Sequence, residues 1–133
     1  MQATTNLVAE RFVAAIAARD LGAAMALYAP EATFEAHVPG WDVSVDEPAD
    51  VSGLLDDFLI GRDGFRVLRY RVIGEEGAAA LRCDLQWHDE EDGAPCLCYQ
   101  SHFFEVAGDR IRYHHMYCAG VRVQRPEAMA RSA

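Results

Sequence analysis

Apolar positions in the first sixty residues recur mainly at helical spacing. Residues 5–19 carry one apolar stripe and predict a helix. Asp20 is a suitable N-cap for a second helix, which contains Tyr28 and ends at Pro30. A third helix is predicted over about 50–60, before a glycine that would stop it. These three helices all fall in the N-terminal half of the chain.

The apolar pattern changes to a period of two beyond residue 64, which is typical of strands. Residues 32–38 show the same alternation earlier in the chain and end at Pro39-Gly40, after which an acidic loop is expected. Four further strands are predicted over residues 65–73, 79–88, 95–106 and 110–121. Glycine-containing turns separate them, so they should form an antiparallel meander. A polar, flexible tail is expected from about residue 122.

The order of these elements predicts one α+β domain over residues 1–133. Strands of about ten residues must curl, and the three helices would cover the concave face of the curved sheet. A hollow closed on one side by helices is a natural place for a small ligand.

Composition narrows the possible partners. The chain has 133 residues and a net charge of −9, with 12 basic against 21 acidic side chains. Such a surface repels phosphate backbones and anionic lipid, so neither nucleic acid nor membrane is an expected partner. No apolar run reaches the length of a membrane span, and no signal peptide is apparent, so we expect a cytoplasmic protein. The four cysteines should then be reduced, buried thiols.

Two segments carry a family resemblance. "RDLGAAMALYAPEATFEA" (19–36) and "FFEVAGDRIRYHHMYC" (103–118) resemble the nuclear transport factor 2-like superfamily, which includes ketosteroid isomerases and SnoaL-like polyketide cyclases. The resemblance covers about residues 5–121 and implies a cystatin-like curved antiparallel sheet that forms a cone. It specifies the fold better than the function, because members of the superfamily differ in activity.

The acid and base positions of ketosteroid isomerases are not preserved here. The aspartate that removes a proton in those enzymes falls on Ala36, and the two oxyanion donors fall on Phe12 and His102. Since Ala and Phe can neither move a proton nor donate a hydrogen bond, that mechanism cannot operate. SnoaL-like cyclases often have a histidine where His114 stands, but their acidic residue two positions later is Met116.

Strand alternation predicts which side chains face the hollow. The inward set comprises Leu81, Cys83, Leu85, Trp87, Cys98, Gln100, His102, Phe104, Arg112, His114, Met116 and Cys118. Histidine titrates near neutral pH, so the two inward histidines are candidates for an acid/base pair. A one-residue bulge would invert any part of this set.

These positions lead to a first hypothesis, a cofactor-independent isomerase, cyclase or dehydratase acting on a hydrophobic cyclic or polyketide-like molecule. His102 and His114 would transfer protons, and Gln100 and Tyr28 would orient the substrate. The wall would consist of Leu85, Trp87, Phe104, Met116 and Cys118. The alternative is a non-catalytic ligand-binding or dimerisation module of the same fold. Histidines near cysteines could hold zinc or copper, but their spacing is no ligand signature, so no metal is expected.

The outward positions of the last two strands form an aromatic row. It consists of Tyr99, Phe103, Tyr113, His115 and Tyr117. Exposed aromatic patches are typical of interfaces, so we expect a symmetric homodimer built on this face.

Overall fold

The computed structural model of the protein describes residues 2–124. Its helical elements are α1 (Gln2–Ala17), α2 (Leu21–Met25) and α3 (Pro48–Leu55), and α3 continues into a π-helical turn (Asp56–Ile60). Its strands are β1 (Tyr28–Val38), β2 (Trp41–Val45), β3 (Arg66–Glu75), β4 (Ala78–His88), β5 (Pro95–Ala107) and β6 (Arg110–Val123). The predicted α+β class is confirmed.

The strands form one six-stranded sheet in the order β2-β1-β6-β5-β4-β3. The predicted meander from β3 to β6 is confirmed, since each of its neighbouring pairs is antiparallel. β1 then joins the free side of β6 in parallel, and β2 pairs antiparallel with β1 at the edge. The parallel pair requires a long crossover, which the intervening chain from β2 to β5 provides.

The three predicted helices are present in the structure, but α2 is shorter than predicted. Asp20 caps α2 by accepting a hydrogen bond from the backbone N–H of Ala23. α2 ends at Met25, however, so Tyr28 is the first residue of β1 and not part of a helix over the opening. Pro30 therefore lies inside β1, in the stretch where the pairing with β6 shifts register. α1 packs against β3, β4 and β5.

Three other predictions about the strands need correction. The expected acidic loop after β1 contains β2, whose pattern was too short to detect. β6 runs to Val123, so it includes the first residues of the expected flexible tail; residues 125–133 lie outside the described part of the chain. Arg112, predicted to face inward, is exposed, and Ile111 is buried in its place. A bulge between Glu105 and Val106 in the pairing of β5 with β6 causes that inversion.

The core lies between α1 and the inner face of the sheet. Its largest fully buried side chains include Phe12, Phe34, Phe104, His102 and His114. Two histidines among phenylalanines are unusual for a core, because buried polar groups are costly unless they are hydrogen-bonded. Among residues 2–124, no helix is long and apolar enough to cross a membrane.

Candidate functional site: a buried hydrogen-bond chain that ends at a cavity

The two inward histidines contact each other in the core. Nδ1 of His102 lies 2.7 Å from Nε2 of His114, and both side chains are fully buried. Paired strands bring them together, since His102 is opposite Met116, two residues along β6 from His114. Tyr28 lies 2.6 Å from the remaining nitrogen of His114, Nδ1. Its hydroxyl reaches that ring because β1 runs beside β6.

The hydrogen-bond chain continues from His102 toward solvent. Nε2 of His102 lies 3.0 Å from Oε1 of Gln100, and Nε2 of Gln100 donates to Sγ of Cys98 at 3.6 Å. Sγ of Cys98 is 3.1 Å from Sγ of Cys118. The complete chain is Tyr28, His114, His102, Gln100, Cys98 and Cys118.

One assignment of protons satisfies every member of this chain. Gln100 must accept from His102 through its carbonyl oxygen, so Nε2 of His102 carries a proton and its Nδ1 accepts from His114. Nδ1 of His114 then accepts from the hydroxyl of Tyr28. Each imidazole therefore carries one proton and is neutral. All donors point in the same direction, from Tyr28 toward the thiols.

Burial supports the neutral forms. It lowers the pKa of His102 to about 3. The pKa of His114 is lowered well below its ordinary value, mainly by burial and further by its neighbours His102 and His115. Burial also raises the pKa of the Tyr28 hydroxyl. The environment is aromatic: the rings of Phe34 and Phe104 lie 4.6 and 4.5 Å from the ring of His114.

Cys118 stands at the end of the chain, and its thiol differs from the others. The pKa of Cys118 is lowered to about 6, chiefly by the hydrogen bond from Cys98, with smaller contributions that include Gln100 and Arg62. The same contact and burial raise the pKa of Cys98. These opposite shifts favour Cys98 as the proton donor of the pair and Cys118 as the thiol that loses its proton first. Burial raises the pKa of Cys83 to about 12.

A bulge in β6 places Cys118 beside Cys98. Gln100 pairs with Cys118, but Cys98 pairs with Val121, so β6 has one extra residue between them. Gly120 has φ +100°, a left-handed value that residues with a Cβ rarely adopt. The small residues of "CAGV" (118–121) are the sequence signal for this bulge.

Cys118 lines a cavity of about 440 Å³ at the end of the sheet near the π-helical turn. The lining residues are Val38, Pro39, Phe58, Arg62, Trp87, Gln100, Met116, Cys118, Gly120 and Val121. This volume lies within the roughly 300–1,000 Å³ typical of small-molecule sites. The lining is mostly apolar, with polar groups from only a few residues, which is also typical of such sites.

The predicted site residues thus fall into two groups. Trp87, Gln100, Met116 and Cys118 line the cavity. Tyr28, Leu85, His102, Phe104 and His114 belong to the core behind it, and they are not among the residues that line it. Gln100 joins the groups, since it faces the cavity and accepts a hydrogen bond from His102.

Sequence reasoning did not identify Arg62 as a site residue. Its guanidinium lies 4.8 Å from the ring centre of Trp87. Arg19 fixes the turn that carries it, through hydrogen bonds to the backbone carbonyls of Ile60 and Arg62. Within residues 2–124, the buried Nε of Arg62 has no hydrogen-bond partner. The sequence offered one indication of Arg62 as a site residue, namely its position as a basic residue in the turn after the third helix.

Comparison with known proteins agrees with this fold. The model of the SnoaL-like domain family matches residues 9–114. The chain belongs to this family. No curated protein matches the sequence.

Solved structures give the same fold at low identity. A protein from Kribbella flavida DSM 17836, provisionally assigned as a ketosteroid isomerase, has a TM-score of 0.73 and 14% identity, with 94% of this chain and 84% of that chain covered. A protein from Xanthomonas campestris pv. campestris, provisionally assigned as a polyketide cyclase, has a TM-score of 0.72 and 14% identity, covering 87% and 90%. An LEH-like epoxide hydrolase from M. tuberculosis has a TM-score of 0.68 and 18% identity, covering 88% and 84%. The SnoaL-like chain therefore has the nuclear transport factor 2-like cone fold.

Proposed function

We propose that this SnoaL-like protein binds a compact, mostly apolar small molecule that carries one carbonyl or carboxylate oxygen. The observation that carries the proposal is the unpartnered Nε of Arg62 at the wall of an apolar cavity. An unpaired buried donor is costly, and a ligand oxygen would satisfy it. The structural relatives include proteins assigned to isomerisation, polyketide cyclisation and epoxide hydrolysis, which favours a small organic ligand.

The cavity supplies further contacts for such a ligand. Trp87 and Met116 offer apolar surface, and Gln100 presents an amide whose second N–H points away from Cys98. The hydrogen bond to His102 fixes the amide orientation. On this proposal the buried histidines hold Gln100 in place and do not touch the ligand.

The test uses Trp87 as a fluorescent reporter. Trp41, the second tryptophan, is about half exposed, so Trp41→Phe leaves Trp87 as the only indole. We expect adamantane-1-carboxylate and 2-adamantanone to change the Trp87 emission in a saturable manner, and 1-adamantylamine to bind more weakly. Arg62→Gln should weaken binding of the carboxylate at least about tenfold, as loss of a charged hydrogen bond predicts.

The matched control is Arg66→Gln, because Arg66 lies outside the cavity and contacts Gln86. It should bind the carboxylate as the parent does. No saturable change with either oxygen-bearing compound would contradict the proposal, as would an amine that binds as tightly as the carboxylate.

Proton transfer by His102 and His114 is the second candidate function. One observation favours it: the imidazole of His102 is one hydrogen bond, through Gln100, from the cavity wall. Incubating the protein with 3-cyclohexen-1-one tests it, since moving a proton from the α to the γ carbon gives the conjugated ketone with its stronger ultraviolet absorbance. Turnover that His114→Gln abolishes would support catalysis; binding of adamantanes without turnover would support the binding role alone.

We also infer that two copies pair through the aromatic row of β5 and β6. Phe103 and Tyr117 are each 45% exposed, and their rings lie 5.9 Å apart. They border an open depression together with Ser101 and His115. Exposed rings around a shallow depression are suited to a self-complementary contact.

Light scattering tests this pairing. We expect twice the single-chain mass of 14.7 kDa for the parent and the single-chain mass for Tyr117→Glu, since a charge buried against its copy is strongly unfavourable. Leu7→Glu, on exposed α1 surface, is the control and should remain a dimer. A parent that scatters as one chain refutes the dimer.

A further inference from the structure

The outer face of the sheet carries a cluster of potential metal ligands that is separate from the cavity and shares His115 with the aromatic row. Glu35, His37 and His115 each offer one ligand atom, and these atoms all lie within 4.8 Å of one another. Strand geometry produces the cluster: residues 35 and 37 are on the same face of β1, and Glu35 is paired with His115 of the neighbouring β6. The sheet backbone therefore fixes the three positions.

Each histidine is oriented by a hydrogen bond through one ring nitrogen. Nδ1 of His37 lies 2.6 Å from Oδ1 of Asp42, and Nδ1 of His115 lies 2.8 Å from the hydroxyl of Tyr113. In His115 this leaves Nε2 available. Metal-binding histidines commonly show this arrangement, in which a carboxylate or another polar group holds the second nitrogen and sets the tautomer.

Nε2 of His115 is an unsatisfied ligand atom at this cluster. It is buried, it has no hydrogen-bond partner among residues 2–124, and it lies 3.7 Å from Oε2 of Glu35. That separation is too long for a hydrogen bond. It is close to the spacing of about 3.4 Å between two ligand atoms that share a tetrahedral ion at bond lengths of about 2.0–2.2 Å.

We propose that Glu35, His37 and His115 form a zinc-binding site on the outer face of the sheet, with water at the fourth position. Two imidazoles and one carboxylate match zinc, whereas magnesium and calcium prefer oxygen ligands alone. Three protein ligands and one open position are typical of zinc sites that activate water or bind an external ligand. Asp42 and Tyr113 act as the orienting partners of the two histidines.

The aromatic surroundings hold the site in shape. The ring of Tyr117 stacks on both histidines, 5.0 Å from His37 and 4.5 Å from His115. Rotation of either imidazole by more than a small angle would break these contacts.

Isothermal titration of metal-free protein with zinc chloride tests the proposal. We expect one ion per chain, and we expect His115→Ala and Glu35→Gln each to weaken binding by at least about tenfold. Asp42→Asn should weaken binding by a smaller factor, because it affects the ion only through His37. Circular dichroism of each variant verifies the fold.

Two controls separate this site from other zinc ligands in the chain. His88→Ala removes an exposed histidine distant from the cluster and should leave the affinity unchanged. A Cys98→Ser, Cys118→Ser variant should also bind zinc as the parent does. Loss of binding in the double cysteine variant, retention in His115→Ala, or half an ion per chain would each overturn the proposal.

Discussion

Urea should unfold this protein more and more easily as the pH falls from 6.5 toward 4, with a slope set largely by His102 and His114. Both imidazoles are neutral in the folded protein because burial lowers the pKa of each, that of His102 to about 3. In the unfolded chain both titrate near the ordinary value of about 6.5. Below that pH the unfolded state binds protons that the folded state does not.

The sign follows from this difference in bound protons. Stability is fully present above pH ~6.5 and is lost as the pH falls toward the lowered folded-state values. Each histidine contributes about 1.4 kcal/mol per pH unit to the slope of the free energy of unfolding against pH. The pair therefore contributes up to about 2.7 kcal/mol per unit. Over two units that exceeds a third of the stability of a typical domain, which is about 5–15 kcal/mol.

Glutamine variants isolate this contribution. His102→Gln and His114→Gln should each lower stability at pH 7.5 and also flatten its dependence on pH, by about 1.4 kcal/mol per unit. His88→Gln, at an exposed position, should leave the slope unchanged. Denaturation midpoints at pH 7.5, 6.5, 5.5 and 4.5 provide the comparison. If the parent and both buried-site variants showed equal slopes, the conclusion that His102 and His114 are both neutral in the folded protein would be wrong.

Local patterns were sufficient to predict most of this fold. The change of apolar period from 3.6 to 2 separated helices from strands, and glycine turns set the antiparallel order of β3 to β6. The inward facing of His102 and His114 followed from alternation, because burial alternates regularly around His102 on β5 and from His114 to Met116 on β6. The prediction that the curved sheet forms a cone came from the family resemblance, and the family match over residues 9–114 is consistent with it.

The wrong predictions concern residues whose secondary structure or facing depends on contacts with distant strands. Tyr28 was assigned to a helix because it continues the apolar stripe of α2, but pairing with β6 makes it extended. Arg112 was assigned inward because a bulge is not visible in an alternating pattern. Both errors are local and leave the topology unchanged: Tyr28 belongs to a strand and not to a helix, and at Arg112 one residue of shift reverses the facing of the side chain.

The site was harder to predict than the fold because its members come from distant segments. Arg62 reaches the cavity from a turn after a π-helical turn, and neither feature has a distinctive pattern. Strand alternation predicted that Cys118 faces inward, but it could not predict the lowered pKa of its thiol. That pKa depends on the contact with the thiol of Cys98 across a bulge. A lowered pKa requires a particular neighbour at a particular distance, and a single sequence does not contain distances.

That contact predicts selective chemistry at Cys118. At pH 7, iodoacetamide should alkylate Cys118 and leave Cys83 and Cys98 unmodified, because among these three thiols the pKa is lowered, to about 6, for Cys118 and raised for the other two. Burial raises the pKa of Cys83 to about 12, so the reactive thiolate is very scarce there. A lowered pKa also reduces the nucleophilicity of a thiolate, so the rate at pH 7 should exceed that of an ordinary thiol only modestly. The clearer signature is the pH profile.

We expect the alkylation rate of Cys118 to reach half its maximum closer to pH 6 than to the ordinary thiol value of about 8.5. Cys98→Ala removes the largest cause of the shift and should move the midpoint up, whereas Cys98→Ser keeps an O–H donor and should retain much of the shift. Peptide mass spectrometry after timed quenching gives the rate at each thiol. A Cys118 midpoint near 8.5 in the parent, or identical midpoints in the Ala and Ser variants, would show that Cys98 does not stabilise the thiolate. Because Cys118 lines the cavity, saturating adamantane-1-carboxylate should also slow the alkylation, which connects the reactive thiol to the proposed binding site.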